Sequence, residues 1–189
     1  MLNATDETLR AYEQRADRYF DASAPAVSAE VAGLLDAVVA RLHPGSHVLE
    51  VGTGPGREAA YLEERGLHVD RTDATAAFVE RLRADGHDAR LLDVRDGNLG
   101  GPYDAVLANA VLLHLDRAQA RLAVEACRQA VRPGGLFALT LKDGDGAAPT
   151  APTAPAVPTA PAAPAARTDP TDPAAPTAQA VPAVPVGPA

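Results

Sequence analysis

Cysteine is almost missing from this chain of 189 residues: Cys127 stands alone. No internal disulfide can form, and no cysteine spacing suits a structural zinc site, so a metal is not expected. Cys127 falls inside the helical stretch "RAQARLAVEACRQAV" and reads as a small core residue rather than a reactive thiol. Tryptophan is absent and aromatics make up 4% of residues. Isoleucine is also absent and lysine occurs once, at Lys142, against many arginines. This is a coding bias rather than chemistry. No apolar run reaches the ~18 residues a membrane helix requires, and no charged-then-apolar leader opens the chain. The chain therefore reads as cytoplasmic and soluble, with no membrane partner.

Positive charge is also in short supply. Lys and Arg total 17 against 25 Asp and Glu, for a formal net charge of −8. A nucleic-acid surface needs a basic stripe to displace counterions, so nucleic acid is excluded as the expected partner. The acidic balance slightly favours a cationic small ligand.

Structure-breaking residues are concentrated at one end. Twelve of the 17 prolines lie between Pro149 and Pro188, all in one three-residue register in which only Arg167 and Gln179 are not proline. A polyproline II helix has three residues per turn, so these prolines would line one edge. Ala, Pro and Thr cannot build a packed core. Residues 1–146 are thus expected to form one domain, and 147–189 a low-complexity, disordered or semi-stiff Ala/Pro-rich tail.

Within the body, "TDETLRAYEQRADRYFD" and "VSAEVAGLLDAVVARL" have helical spacing. Strand and helix patterns then alternate. "HVLEV" is a strand, and a helix follows from Arg57 to Arg65. "LHVDRTD", "DARLLDV", "YDAVLANAV" and "LFALTLK" are further strands. Gly66, Gly86 and "RPGG" supply stops, and Asp116 is placed to cap the helix from Arg117 to Val131. Short connections between alternating elements predict an α/β fold: a Rossmann-like, doubly wound, mostly parallel sheet with helices on both faces. Ligands bind such sheets at the carboxyl ends of the strands, near the switch point.

The glycine loop "EVGTGPG" lies at that place. A phosphate loop of the Walker type would need lysine and Ser or Thr after the last glycine, where Arg57 and Glu58 stand. The dinucleotide fingerprint GxGxxG would need glycine at 57, so a dehydrogenase is disfavoured without being excluded. A third ligand fits better: an amino acid joined to a nucleoside. Backbone amides freed by glycine meet its carboxylate, and Glu50 meets its ammonium group. Asp73, 21 residues past Gly52, is placed to accept two ribose hydroxyls. Asp70 falls within the strand and points elsewhere.

"VLEVGTGPG" resembles the first motif of class I S-adenosylmethionine-dependent methyltransferases. "RTDATAAFVERL", "ARLLDVRD", "YDAVLANAVLLHL" and "AVRPGGLFALTLK" are similar to the segments that follow, in the same order, over about residues 10 to 143. The resemblance implies S-adenosyl-L-methionine as methyl donor and a small-molecule acceptor. It implies cofactor contacts from Glu50, Gly52, Thr53, Gly54 and Gly56, from Asp73 and Ala74 at the ribose, and from Asp93 and Val94 at the adenine. Asn109 and Ala110 would line the methyl position. Tyr12 and Tyr19 resemble a segment that covers the cofactor, though core packing explains them equally well. His114 is the best-placed general base, with packing in the strand exit as the alternative.

Family sheets normally end in an antiparallel hairpin, and here the fifth strand runs directly into the Ala/Pro segment. Five strands are recognisable and the C-terminal hairpin is absent. An exposed fifth-strand edge would then invite dimer pairing. Two functions follow: a small-molecule methyltransferase, or a non-catalytic S-adenosylmethionine-binding module or inactive truncated fragment of one.

Overall fold

The structure, a computed structural model, describes residues 4–141 and 184–185. The expected tail otherwise lies outside the described residues, as does the domain boundary at 146.

Two helices lead the chain, α1 (Ala4–Ala22) and α2 (Ala29–Val39). Ser28 caps α2, its hydroxyl accepting from the Val31 amide at 3.3 Å. The alternating part follows as β1 (His47–Val51), α3 (Arg57–Glu63), β2 (His68–Asp73), α4 (Ala76–Ala84), β3 (Ala89–Leu91), β4 (Tyr103–Ala108), α5 (Arg117–Ala130) and β5 (Val131–Leu139). A two-residue β6 (Val184–Pro185) completes the sheet. The strand order is β3-β2-β1-β4-β5-β6. The first five strands pair in parallel and β6 is antiparallel. The order reverses between β1 and β4, which opens a crevice at their carboxyl ends.

Both faces of the sheet are covered, so its strands are apolar almost continuously. Alternation along β1 and β4 divides the core. Leu49, Val51 and Val106 pack with Ala123 and Cys127 of α5. Val48 and Leu107 pack with Leu35 of α2 and Leu62 of α3. Each fully buried leucine contributes about 1.5–3 kcal/mol of transfer free energy. Cys127 is fully buried, and burial pushes its thiol up to about 12, so it behaves as a core residue.

Asp116 caps α5 as the sequence indicates. Its carboxylate accepts from the Gln119 amide, and the Gln119 side chain accepts from the Asp116 amide. Three local expectations are corrected. The strand "DARLLDV" ends at Leu91, because Asp93 accepts from the Arg95 amide and turns Val94–Asp96 into a 3-10 turn. "RPGG" lies inside β5, where the ladder to β4 shifts register between the Tyr103–Val131 and Ala105–Leu136 pairs. β5 is also paired at Leu136 and Phe137, which face Pro185 and Val184 of β6, so the expected open edge is closed there. Proline is tolerated in such a strand because it sits at the sheet edge.

Among the described residues no helix is long and apolar enough to cross a membrane, and no cluster of His, Cys, Asp or Glu is arranged to hold a metal ion.

Candidate functional site

A cleft opens at the carboxyl ends of β1, β2 and β4, with α1 lying along one wall. Its floor is the glycine loop. The Thr53 amide donates to the Thr72 carbonyl at 2.9 Å, and the Thr72 hydroxyl donates to the Glu50 carbonyl at 2.7 Å, so the loop is tied to β2. Gly52 has φ +70, and a Cβ there would stand 2.6 Å from Cγ2 of Val111. Glycine is required at this position both for its conformation and for the close approach of the β4 exit.

Glu50 is 2% exposed and accepts a hydrogen bond from the Thr53 hydroxyl. Burial pushes its carboxyl up to about 8, and the charges of Glu58 and Asp73 add to the effect. The Thr53 hydrogen bond and the Arg71 guanidinium oppose it without prevailing. At neutral pH the free protein therefore holds Glu50 protonated, and a cationic group placed beside it would favour ionisation. Arg71 itself is buried and forks onto Glu63, at 2.6 and 2.7 Å.

Asp73 closes β2. One of its oxygens accepts from the Gly54 amide at 2.9 Å and the other from the Thr75 amide at 2.8 Å. Burial raises its carboxyl above the ordinary range, and those two backbone hydrogen bonds hold the rise in check. Each carboxylate oxygen can accept more than one hydrogen bond, so Asp73, which also has the Thr75 side chain as a hydrogen-bond partner, keeps acceptor capacity for a further donor. Asp70, three residues earlier and so on the other side of the strand, accepts from the Tyr103 hydroxyl at 3.0 Å and stays outside the cleft.

At the third strand the cleft is lined by Asp93 and Val94. Asp93 is held in a fork by Arg95, which also reaches back to Asp6 of α1 at 2.8 Å. Burial alone would push the Asp93 carboxyl up, but the Arg95 guanidinium and amide outweigh it and hold the group below its ordinary value. This bridge ties α1 to the cleft rim. Glu13 of α1 adds a second tie by accepting from the Ala76 and Ala77 amides at the start of α4.

Tyr12 and Tyr19 project from α1 into the cleft and stack edge-on at 5.5 Å, with Phe78 of α4 against both. They pack on an aromatic neighbour and also line the cleft. Burial pushes the Tyr12 phenol up to about 12, with smaller contributions from Tyr19 and Asp73. His114 sits in the 3-10 turn Leu112–His114 and packs edge-on against the Tyr12 ring, its Nε2 at 3.4 Å from the Tyr12 hydroxyl. Burial lowers its pKa, so the imidazole is neutral at pH 7.

The β4 exit is a rigid polar wall. Asn109 donates to Glu58 at 2.9 Å and accepts from the Thr140 hydroxyl at 2.9 Å. Thr140 in turn accepts from the Ala110 amide at 2.7 Å. Ala110 has φ +54, a left-handed conformation that non-glycine residues rarely adopt, and strain of this kind concentrates at functional sites.

Of the sequence-derived residues, Glu50, Gly52, Thr53, Gly54, Asp73, Ala74, Asp93, Val94, Asn109, Ala110, Tyr12, Tyr19 and His114 all line this one cleft. Gly56 does not. Its φ of +79 and the 3.2 Å that would separate a Cβ from Leu82 make it a packing residue that seats the loop on α4. The sequence reading missed Thr5, Thr8, Leu9, Phe78 and Arg95, which line the cleft only because α1, α4 and the third strand's exit converge there. It also took Arg57 and Glu58 only as departures from the phosphate-loop and dinucleotide motifs, although both line the cleft.

A family model described as a methyltransferase domain matches residues 49–137. The protein-L-isoaspartate O-methyltransferase 2 of Polaromonas sp. is 32% identical over 129 residues, covering 59% of this chain and 59% of that protein. A protein-L-isoaspartate O-methyltransferase of Methylorubrum populi is 36% identical over 111 residues, covering 53% of this chain and 52% of that one. The chain thus spans roughly half to three fifths of the length of these curated relatives. Two solved structures share the fold. A TehB-like SAM-dependent methyltransferase from Corynebacterium glutamicum superposes with a TM-score of 0.59 at 20% identity, over 71% of this chain and 75% of that one. The 1,6-didemethyltoxoflavin-N1-methyltransferase of Burkholderia thailandensis, with S-adenosylhomocysteine bound, gives 0.56 at 24% identity, over 77% and 68%.

Proposed function

We propose that this chain is a class I S-adenosylmethionine-dependent methyltransferase, which binds S-adenosylmethionine in the cleft and directs its methyl group to a small-molecule acceptor. One observation carries the reading: a buried Glu50 and an Asp73 with unspent acceptor capacity flank the same glycine loop. That pair suits an ammonium group at one end of a ligand and a ribose diol at the other.

The residues present fit the cofactor. Glu50 would receive the ammonium group, Asp73 the ribose hydroxyls, and Val94 the adenine through its backbone. Asp93 is committed to Arg95, so it would meet the adenine amino group only by sharing its oxygens with that guanidinium. When bound, the sulfonium supplies an already activated methyl group, so the protein's part is alignment and exclusion of water. Tyr12, Tyr19 and Phe78 provide an apolar cover. Asn109 and Ala110, fixed by Thr140 and Glu58, form the wall against which an acceptor is oriented. His114, neutral in the free protein, takes up a proton from an acceptor that brings one.

Calorimetric titration with S-adenosylhomocysteine tests the cofactor assignment; no heat at high protein concentration sinks it. A non-catalytic binding module is the second reading. It is favoured by the thin sheet margin beyond β5, where among the described residues only Val184 and Pro185 add to the ladder. Methyl transfer to an acceptor panel, assayed once binding is established, separates the two.

A further inference from the structure

Arg57 stands in the cleft with a charge that the fold leaves unspent. It is the first residue of α3 and lines the cleft next to Glu58. Its Nε is buried and, among the described residues, has no hydrogen-bond partner. Among the described residues it makes no ion pair either. Buried donors are almost always satisfied, so an orphan of this kind calls for a partner. A guanidinium presents its donors as a planar fork, a shape that matches a carboxylate.

The neighbouring acids do not supply that carboxylate. Glu50 is protonated and bonded to Thr53. Glu58 accepts from Asn109, Asp73 from Gly54 and Thr75, and Asp93 from Arg95. Arg95, the other cation lining the cleft, is already paired with Asp6 and Asp93. Arg57 and Asn109 line the same cleft. Glu58, the neighbour of Arg57 in the chain, bonds to Asn109, and this link brings the start of α3 against the β4 exit. The Asn109 amide has two N–H donors, and only one is used on Glu58.

We infer that Arg57, with the free amide hydrogen of Asn109, forms a recognition site for a carboxylate on the methyl acceptor, so that the acceptor is an organic anion. The inference rests on the proposed cofactor site and names the acceptor class for it. It does not rest on the terminus of α3, which is a short helix, but on the side chain alone. It also accords with a cleft whose one lining imidazole is neutral and engaged with Tyr12. An ionised acceptor is held by a fixed cation more readily than by that group.

The test uses the full chain and acetate as the simplest carboxylate probe. The Arg57 Nε–H resonance is identified by its loss in Arg57→Gln. It is then followed with and without S-adenosylhomocysteine while acetate, acetamide or chloride is added at equal ionic strength. A saturable shift with acetate alone is expected. No saturable shift, or the same shift with chloride, overturns the inference. Calorimetry separates the acceptor from the cofactor's own carboxylate. Arg57→Gln is expected to bind S-adenosylhomocysteine within about threefold of the parent protein, whereas a loss of about tenfold or more places Arg57 on the cofactor and overturns the assignment. If the parent protein does not bind S-adenosylhomocysteine, the cofactor reading falls and this one with it. That failure is distinct from binding of S-adenosylhomocysteine without any response to acetate.

Discussion

Replacing Glu50 with glutamine removes a charge that the fold resists burying, and the size of the effect follows from the site. In the unfolded chain the Glu50 carboxyl titrates at its ordinary 4.5, and in the folded protein burial raises it to about 8. Between those values the folded state holds a proton that the unfolded state has lost. Stability therefore declines as pH rises through this window and levels off above it. Each tenfold in proton affinity is worth about 1.4 kcal/mol, so Glu50 lowers stability by at most about 4 kcal/mol between pH 5 and pH 9. Glutamine keeps the volume and can still accept from Thr53, but it does not titrate. Urea denaturation without cofactor is the assay. The parent midpoint should drift down from pH 5 to 9, and the Glu50→Gln curve should lack that component. Parallel curves for the two proteins would refute the protonated, buried Glu50. The same variant loses the ammonium partner, so its affinity for S-adenosylhomocysteine should drop by about tenfold or more, as for a charge-assisted hydrogen bond. Below pH 8, binding to the parent protein should release a proton, visible as a buffer-dependent heat.

Asp73→Ala should weaken S-adenosylhomocysteine binding by about tenfold or more in calorimetry, since it removes the acceptors that face the ribose; unchanged affinity would disprove that assignment. Gly52→Ala should destabilise the fold by about 1–3 kcal/mol in chemical denaturation, because its Cβ would collide with Val111 and φ +70 strains any side chain. Leu107→Ala, deep in the core between β4 and α2, should cost about 2–5 kcal/mol by the same measurement. A chain shortened at residue 146 leaves Leu136 and Phe137 without the β6 ladder. Sedimentation velocity should then show more self-association than the full chain does, as an opened apolar edge predicts.

The alternation of β1 through β5 was legible because strand and helix periods are written locally, and so was the Asp116 cap, whose Asp-x-x-Gln signal spans one turn. The glycine loop was legible for the same reason. Asp73 could be placed by its spacing from Gly52 and its position at the strand end, and Asp70, three residues earlier, falls on the opposite face of the strand. Strand margins were less readable. "DARLLDV" is apolar enough for a longer β3, but the Asp93 side chain diverts the backbone. "RPGG" reads as a turn, yet parallel pairing with Tyr103 recruits Val131 before it.

Sequence alone thus determined the order of the elements, the fold class and the floor of the cleft, because periodicity, caps and positive-φ glycines act within a few residues of themselves. Tertiary structure decided what the cleft can do. The Arg95 bridge spans 89 residues to Asp6, and the Asn109–Glu58 bond spans 51. No local pattern encodes a pairing over such separations. Glu50 is an ordinary acid in the sequence, and only the packing around it makes it a proton carrier. Arg57 looked only like a departure from two glycine-loop motifs until the assembled cleft showed the neighbouring acids engaged and, among the described residues, its Nε without a partner.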